Sequence, residues 1–144
     1  MNAIPDWFYF AVLSAMFAAL TAIFAKIGLE GIDSDFATLI RTFVIVAVLS
    51  AFVLFTGKWT NLLTLNPKSL LFLVLSGLAT GASWVCYFRA LKVGDASKVA
   101  PIDKLSLVLV AVFAVIFLNE RPSAKDWIGI ILVSAGVILI GLRK

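Results

Sequence analysis

The sequence predicts an all-α integral membrane protein, a bundle of five transmembrane helices, and three observations lead there. Of its 144 residues, 62% are hydrophobic and only 14% are charged, against about half and about a quarter in an ordinary soluble domain. That is more apolar surface than one water-soluble core buries. The apolar residues fall into five runs. The polar breaks between them, GLEGIDSD, TGKWTNLLTLNPKS, KVGDASK and NERPSAKD, are rich in turn and capping residues.

The runs place helices at about 7–28, 36–56, 69–91, 99–118 and 126–142 of a single transmembrane domain over 1–144. Crossing a bilayer's hydrocarbon core takes about 20 apolar residues of helix, within a range of roughly 17–25. The first run reads as a retained span and not a cleaved signal peptide. Asp6 is the only charged side chain before it, there is no basic segment, and the apolar stretch is too long. The second run carries Arg41 about five residues inside its start.

The third run holds Ser76, Gly77, Thr80, Gly81 and Trp84. Gly77 and Gly81 are four residues apart and share a helix face with Ser76 and Thr80. Small residues let two backbones approach closely in lipid, where packing drives association. The pair is expected to pack inside the chain, with a seam between subunits as the other reading. Trp7, Trp59 and Trp127 lie at the edges of runs or in the breaks, as headgroup-level anchors do, whereas Trp84 lies inside its run. The one cysteine, Cys86, lies in this run, so an intrachain disulfide is excluded and a packing role is expected. The fifth run offers a weaker small-residue set, Gly129, Ser134, Ala135, Gly136 and Gly141, of which Gly136 is the candidate packing position.

The fourth run raises a problem of length. Counted from Leu118 back to Leu105 it gives 14 residues, about 21 Å of helix, too short for a core of about 30 Å. Either the helix starts near Val99, with Asp103 and Lys104 in its first turn or two, or the segment is short and broken. Both put two charges at membrane depth, where each costs about 2.5–3.5 kcal/mol on insertion scales. Adjacent residues on a helix point about 100° apart, so each is expected to find a partner on another helix. Arg41 and Arg89 are the candidates for Asp103, with Tyr87 supplying a hydroxyl and Trp84 an aromatic wall. The competing reading is that Arg41, Arg89 and Lys104 snorkel to the interface while Asp103 helps start a helix. Between the third and fourth runs, Gly94 suits a helix C-cap, and Asp95 or Ser97 the next N-cap.

Composition also excludes functions. There is no histidine, no clustered set of acids, no nucleophile–base pair and no phosphate-cradling loop. An enzyme, a metal site and a cofactor are therefore not expected. The net charge of +4 comes from bases spread over helix ends, not from a patch, which argues against nucleic acid. Lys58, Lys68, Arg121 and Lys125 lie on one side of the membrane, and Lys26, Lys92, Lys98, Arg143 and Lys144 on the other. That near balance gives the positive-inside rule little to act on. Only the embedded Arg41, Arg89 and Lys104 tip it toward a cytoplasmic carboxyl terminus.

The segments YFRALKVGDASKVAPIDKLSLVLV and FLNERPSAKDWIGIILVSAGVILI resemble the EamA domain of the drug/metabolite transporter superfamily. The match lies in an aromatic-x-x-Ala-Leu helix end, Ala-Ser-x-Val-Ala-Pro, a Leu-Asn-Glu-Arg turn and a glycine-rich last helix. It covers residues 84–142 closely and residues 1–60 in helix pattern and in Lys26. The resemblance implies a secondary transporter or exporter of small polar or amphipathic metabolites in a prokaryotic plasma membrane. Larger members pair two such units in inverted topology, so one unit implies a homodimer, possibly antiparallel, working by alternating access around a shared cavity. The polar lining is then expected from Arg41, Arg89, Asp103 and Lys104, walled by Trp84 and Tyr87. Small multidrug exporters of the superfamily carry a glutamate in the first helix, which this chain lacks. Glu120 is read as structural, capping or pairing with Arg121, and any protonation coupling falls to Asp103. The excess of embedded bases over acids hints at carboxylate or phosphate substrates. The competing function is a non-transporting membrane subunit that partners another half-transporter.

Overall fold

The computed structural model describes residues 5–142, apart from the side chain of Leu63. Arg143 and Lys144, counted above in the charge balance, lie outside the described residues. Those residues form helices α1 (Asp6–Gly28), α2 (Ser34–Phe55), α3 (Pro67–Val93), α4 (Ala96–Asp103), α5 (Ser106–Leu118) and α6 (Ala124–Leu142). A single 3₁₀ turn at Leu62–Thr64 stands between α2 and α3. No strand occurs among the described residues. Five stretches are long and apolar enough to span a bilayer: α1, α2, α3, α4 with α5, and α6. The chain is a multi-pass membrane protein.

Local chemistry sets the helix ends. Before α2, the Asp33 carboxylate accepts from the backbone N–H groups of Asp35 and Phe36 at 2.9 and 3.1 Å. This satisfies two donors that have no partner inside the helix, and it explains a start at Ser34 where hydropathy alone suggests 36. At the other end of α2, Gly57 takes φ 64°. Its N–H donates to the Leu54 carbonyl and the Lys58 N–H donates to the Val53 carbonyl, both at 3.1 Å. That pair of bonds is a Schellman closure, which needs a left-handed residue at this position. Before α6, Ser123 and Asp126 cap each other. The Ser123 N–H donates to the Asp126 carboxylate at 2.7 Å, and the Asp126 N–H donates to the Ser123 hydroxyl at 3.3 Å.

The fourth span resolves the length problem in a way that neither sequence alternative states. It begins at Ala96, earlier than Val99, and it is interrupted at Lys104–Leu105. Pro101 lies inside α4, where it removes one ladder donor and crowds the preceding turn. The N–H groups of Lys104, Leu105, Leu107 and Val108 each bond the carbonyl three residues back, at 2.9–3.1 Å. The chain thus tightens into 3₁₀ geometry for one turn and continues as α5. Together the two pieces cover 23 residues, about 34 Å of helix. Asp103 therefore ends α4 and does not start a helix. Asp95 holds the N-cap position of α4 without a side-chain capping bond, and its carboxylate meets Lys98 at 3.3 Å.

The described residues divide into two compact units, 23–93 and 1–22 with 94–144. In the first, α2 and α3 pack antiparallel, with the start of α2 beside the end of α3. Its buried residues cluster at that end: Leu29, Phe88 and Leu91, with Ser34 and Thr38. The two hydroxyl-bearing residues fit there because Thr38 Oγ1 donates to the Ser34 carbonyl at 2.8 Å and Ser34 Oγ to Asp35 Oδ1 at 3.4 Å, so each hydroxyl donor has a partner. In the second unit α6 packs against α4 and α5. Val137 is buried, and the Ile102 side chain lies beside Gly141.

The turn after α2 gives a direct test. Replacing Gly57 by alanine forces a side chain into left-handed backbone and lowers unfolding stability by about 1 kcal/mol. Gly129→Ala, in open helix, does not lower it. Titration with denaturing detergent followed by circular dichroism separates the two.

Candidate functional site

Unit 23–93 holds most of the polar groups at membrane depth. Arg41, on α2, turns its guanidinium onto two rings of α3. Its central carbon lies 4.3 Å from the Trp84 ring centre and 5.2 Å from that of Phe88. Cation–π contacts of this kind are worth about 0.5–2 kcal/mol each, so two of them offset much of the roughly 2.5–3.5 kcal/mol cost of embedding an arginine. They engage only the face of the guanidinium. Its N–H donors lie in its plane, and the buried Nη1 has no hydrogen-bond partner among the described residues. Tyr87 stands beside this group, its ring edge-on to Phe88 at 6.2 Å. Phe88 was not singled out from the sequence. Its signal was available: four residues after Trp84, it lies on the same face of α3.

Arg89 is committed elsewhere. Its Nε donates to Asp35 Oδ1 at 2.9 Å and its Nη2 to Asp35 Oδ2 at 2.6 Å, a two-pronged pair tying α3 to the start of α2. The expected pairing of Arg89 with Asp103 is thereby corrected. The sequence reading passed over Asp35 because it placed that residue in the loop before the helix. The signal lay in topology, since the start of one span and the end of the next lie on one side of the membrane.

Two lysines close the same end of this unit. Lys26 Nζ donates to the Leu91 carbonyl at 2.8 Å. Lys92 Nζ donates to the carbonyls of Leu29 and Ile32 at 2.6 and 2.7 Å. Lys26 thus serves a carbonyl near the C-terminal end of α3, where the helix dipole also favours positive charge, and Lys92 serves two carbonyls in the turn that follows α1. The two lysines, with Glu30 and Gly31, border an open depression of about 490 Å³.

In the other unit Asp103 and Lys104 bond each other, Lys104 Nζ donating to Asp103 Oδ2 at 3.3 Å. Two adjacent side chains were expected to diverge. The long lysine side chain nonetheless bends back far enough to reach the neighbouring carboxylate. Asp103 is half-buried and Lys104 exposed. Glu120 and Arg121 form no ion pair with each other among the described residues. The Glu120 N–H caps α5 by donating to the Ala114 carbonyl at 3.1 Å. An added Cβ at Gly77, Gly81 or Gly136 meets nothing within 4 Å among the described residues.

A sequence profile of the EamA-like transporter family matches residues 6–142. The chain is 55% identical over 137 residues to an "Uncharacterized transporter in cobO 3'region" of Sinorhizobium sp, spanning 95% of this chain and 97% of that protein. It is 25% identical over 87 residues to an uncharacterized protein of Methanocaldococcus jannaschii, spanning 60% of this chain and 64% of that one. No solved structure matches. The similarities point to a transporter and away from an enzyme.

The Asp35–Arg89 bridge is testable by exchange. Asp35→Arg and Arg89→Asp each lower the thermal unfolding midpoint in detergent. The double exchange recovers most of the loss, and added salt shrinks the effect.

Proposed function

The chain belongs to the EamA-like transporter family, and from that premise we propose that it carries small polar or amphipathic metabolites across a prokaryotic plasma membrane as a homodimer. The observation that carries this reading is Arg41, a cation at membrane depth held on aromatic rings with a buried donor unused. Polar groups inside spans mark solute pathways more often than they serve packing. The interrupted fourth span supports it too, because discontinuous helices with charged residues at the break are a recurring device for binding solutes near the bilayer midplane. Asp103 and Lys104 occupy such a break.

The dimer follows from what one unit leaves open. Inverted-repeat transporters bind their solute between two halves, and a second copy of this chain supplies the second half. Gly77 and Gly81 have open space beside them, which suits close approach by a helix of the other copy. An antiparallel arrangement agrees with the near balance of loop bases on the two sides. Alternating access then rocks one copy against the other around a shared cavity, which Arg41, Trp84 and Tyr87 line. Arg89, held by Asp35, borders it and keeps α2 and α3 in place.

Purified protein reconstituted alone into liposomes is expected to move solute, and flux that needs a second protein contradicts the reading in favour of a subunit role. For orientation, a single cysteine is placed at Lys58 or Asp95 on a Cys86→Ser background and labelled from outside intact cells. Partial labelling at both positions is the expected result. Labelling at one position only contradicts the antiparallel dimer. If Asp103 couples transport to protons, Asp103→Asn abolishes the pH dependence of flux. Unchanged flux at every pH removes that role.

A further inference from the structure

The cluster at the start of α2 and the end of α3 divides its cations into used and unused. Arg89 spends Nε and Nη2 on Asp35. Lys92 spends its ammonium on two carbonyls, and Lys26 donates to a third. Arg41 faces two aromatic rings, which accept no hydrogen bond in the guanidinium plane, and its Nη1 is buried without a partner among the described residues. A buried, unpaired donor on a charged group is costly to keep. The planar fork of a guanidinium matches a carboxylate or a phosphate, which take two parallel N–H bonds. The rings hold the fork in one orientation, so little freedom is lost when an anion docks.

Depth decides between a headgroup and a solute. The 22 residues of α2 make about 33 Å of helix, close to a hydrocarbon core of about 30 Å, so its ends lie near the core boundaries. Arg41 lies seven residues past Ser34, about 10 Å along the axis. Trp84 and Phe88 lie nine and five residues before Val93, about 14 and 8 Å in from that end. The guanidinium lies over both rings, 4.3 Å from the centre of Trp84 and 5.2 Å from that of Phe88, inside the ends of the two helices. A lipid phosphate stays at the headgroup level, whereas a small solute in a pathway comes to this depth.

We propose that Arg41, seated on Trp84 and Phe88, binds the carboxylate or phosphate of a small organic anion, which makes the transported class anionic. This rests on the transporter reading above. It goes further by assigning one residue and one substrate chemistry.

Binding is read apart from transport, with radiolabelled benzoate and phenyl phosphate as probes and unlabelled benzamide as the neutral competitor. The protein is assayed in a maltoside detergent, which carries no phosphate, and again in phosphatidylcholine nanodiscs. At least one anion is expected to bind saturably in both, with benzamide failing to compete. Arg41→Gln is expected to weaken binding by tenfold or more, about 1.4 kcal/mol. Arg41→Lys, which keeps the charge and loses the fork, is expected to weaken it by a similar factor. Circular dichroism of both variants verifies their helix content, and Trp84→Phe, which leaves Arg41 intact, weakens binding less. Absence of anion binding, equal competition by benzamide, or full affinity in Arg41→Gln overturns the proposal. Binding in detergent that vanishes in nanodiscs overturns it in favour of a lipid phosphate. Liposome flux separates the two levels. Anion binding without flux contradicts the transporter reading alone, and flux of a neutral or cationic solute without anion binding contradicts this inference alone.

Discussion

A guanidinium seven residues inside a membrane-spanning helix is costly to embed, and the aromatic architecture around it answers that constraint. Arg41 is stabilised by ring faces, not by a counter-ion. That choice has a chemical consequence. An ion pair would neutralise the group and close it to ligands, as Asp35 does for Arg89. Aromatic faces stabilise the cation while leaving its in-plane donors open. Trp84 and Phe88 are one helical turn apart on α3, so one face of one helix makes the whole seat.

The seat is only as fixed as the pairing of α2 with α3, and polar bonds at one end secure that pairing. The Asp35–Arg89 bridge ties the start of α2 to the end of α3, and Lys26 and Lys92 fasten the end of α1 and the turn leading into α2 to the same end of α3. Little apolar burial assists them, because most large apolar side chains of the chain are exposed, as surfaces that face lipid are. In hydrocarbon the hydrophobic effect does not press helices together, and close packing and hydrogen bonds take its place. The interrupted fourth span follows the same economy. Pro101 forfeits a backbone donor, and a turn of tighter 3₁₀ bonds keeps the neighbouring donors satisfied.

Much of the fold was legible in the sequence because a membrane span announces itself by composition and length, and five did. The ends of the helices were less legible, since a carboxylate such as Asp33 or a turn such as Gly57 moves a boundary without changing hydropathy. In the site, Arg41 and Trp84 were visible as polar and aromatic residues inside apolar runs. Their contact was not, because spacing along one helix carries no information about which face of the next it meets. The Asp35–Arg89 pair was missed for a related reason. The two residues are 54 positions apart in the chain, and only the antiparallel return of α3 brings them together. Asp103 and Lys104 departed from the sequence expectation because the angle between neighbouring side chains on a helix does not count the reach of a long lysine, which folds back to the adjacent carboxylate.

The central claim is that Arg41 presents an open donor edge from an aromatic seat. The most direct measurement uses Trp84 itself as the reporter, with phenylalanine replacing Trp7, Trp59 and Trp127 so that it is the only tryptophan. Titration with at least one of benzoate and phenyl phosphate is predicted to change its emission saturably, and the change is predicted to vanish in Arg41→Gln. Emission indifferent to both anions, or a response that survives loss of Arg41, contradicts the account.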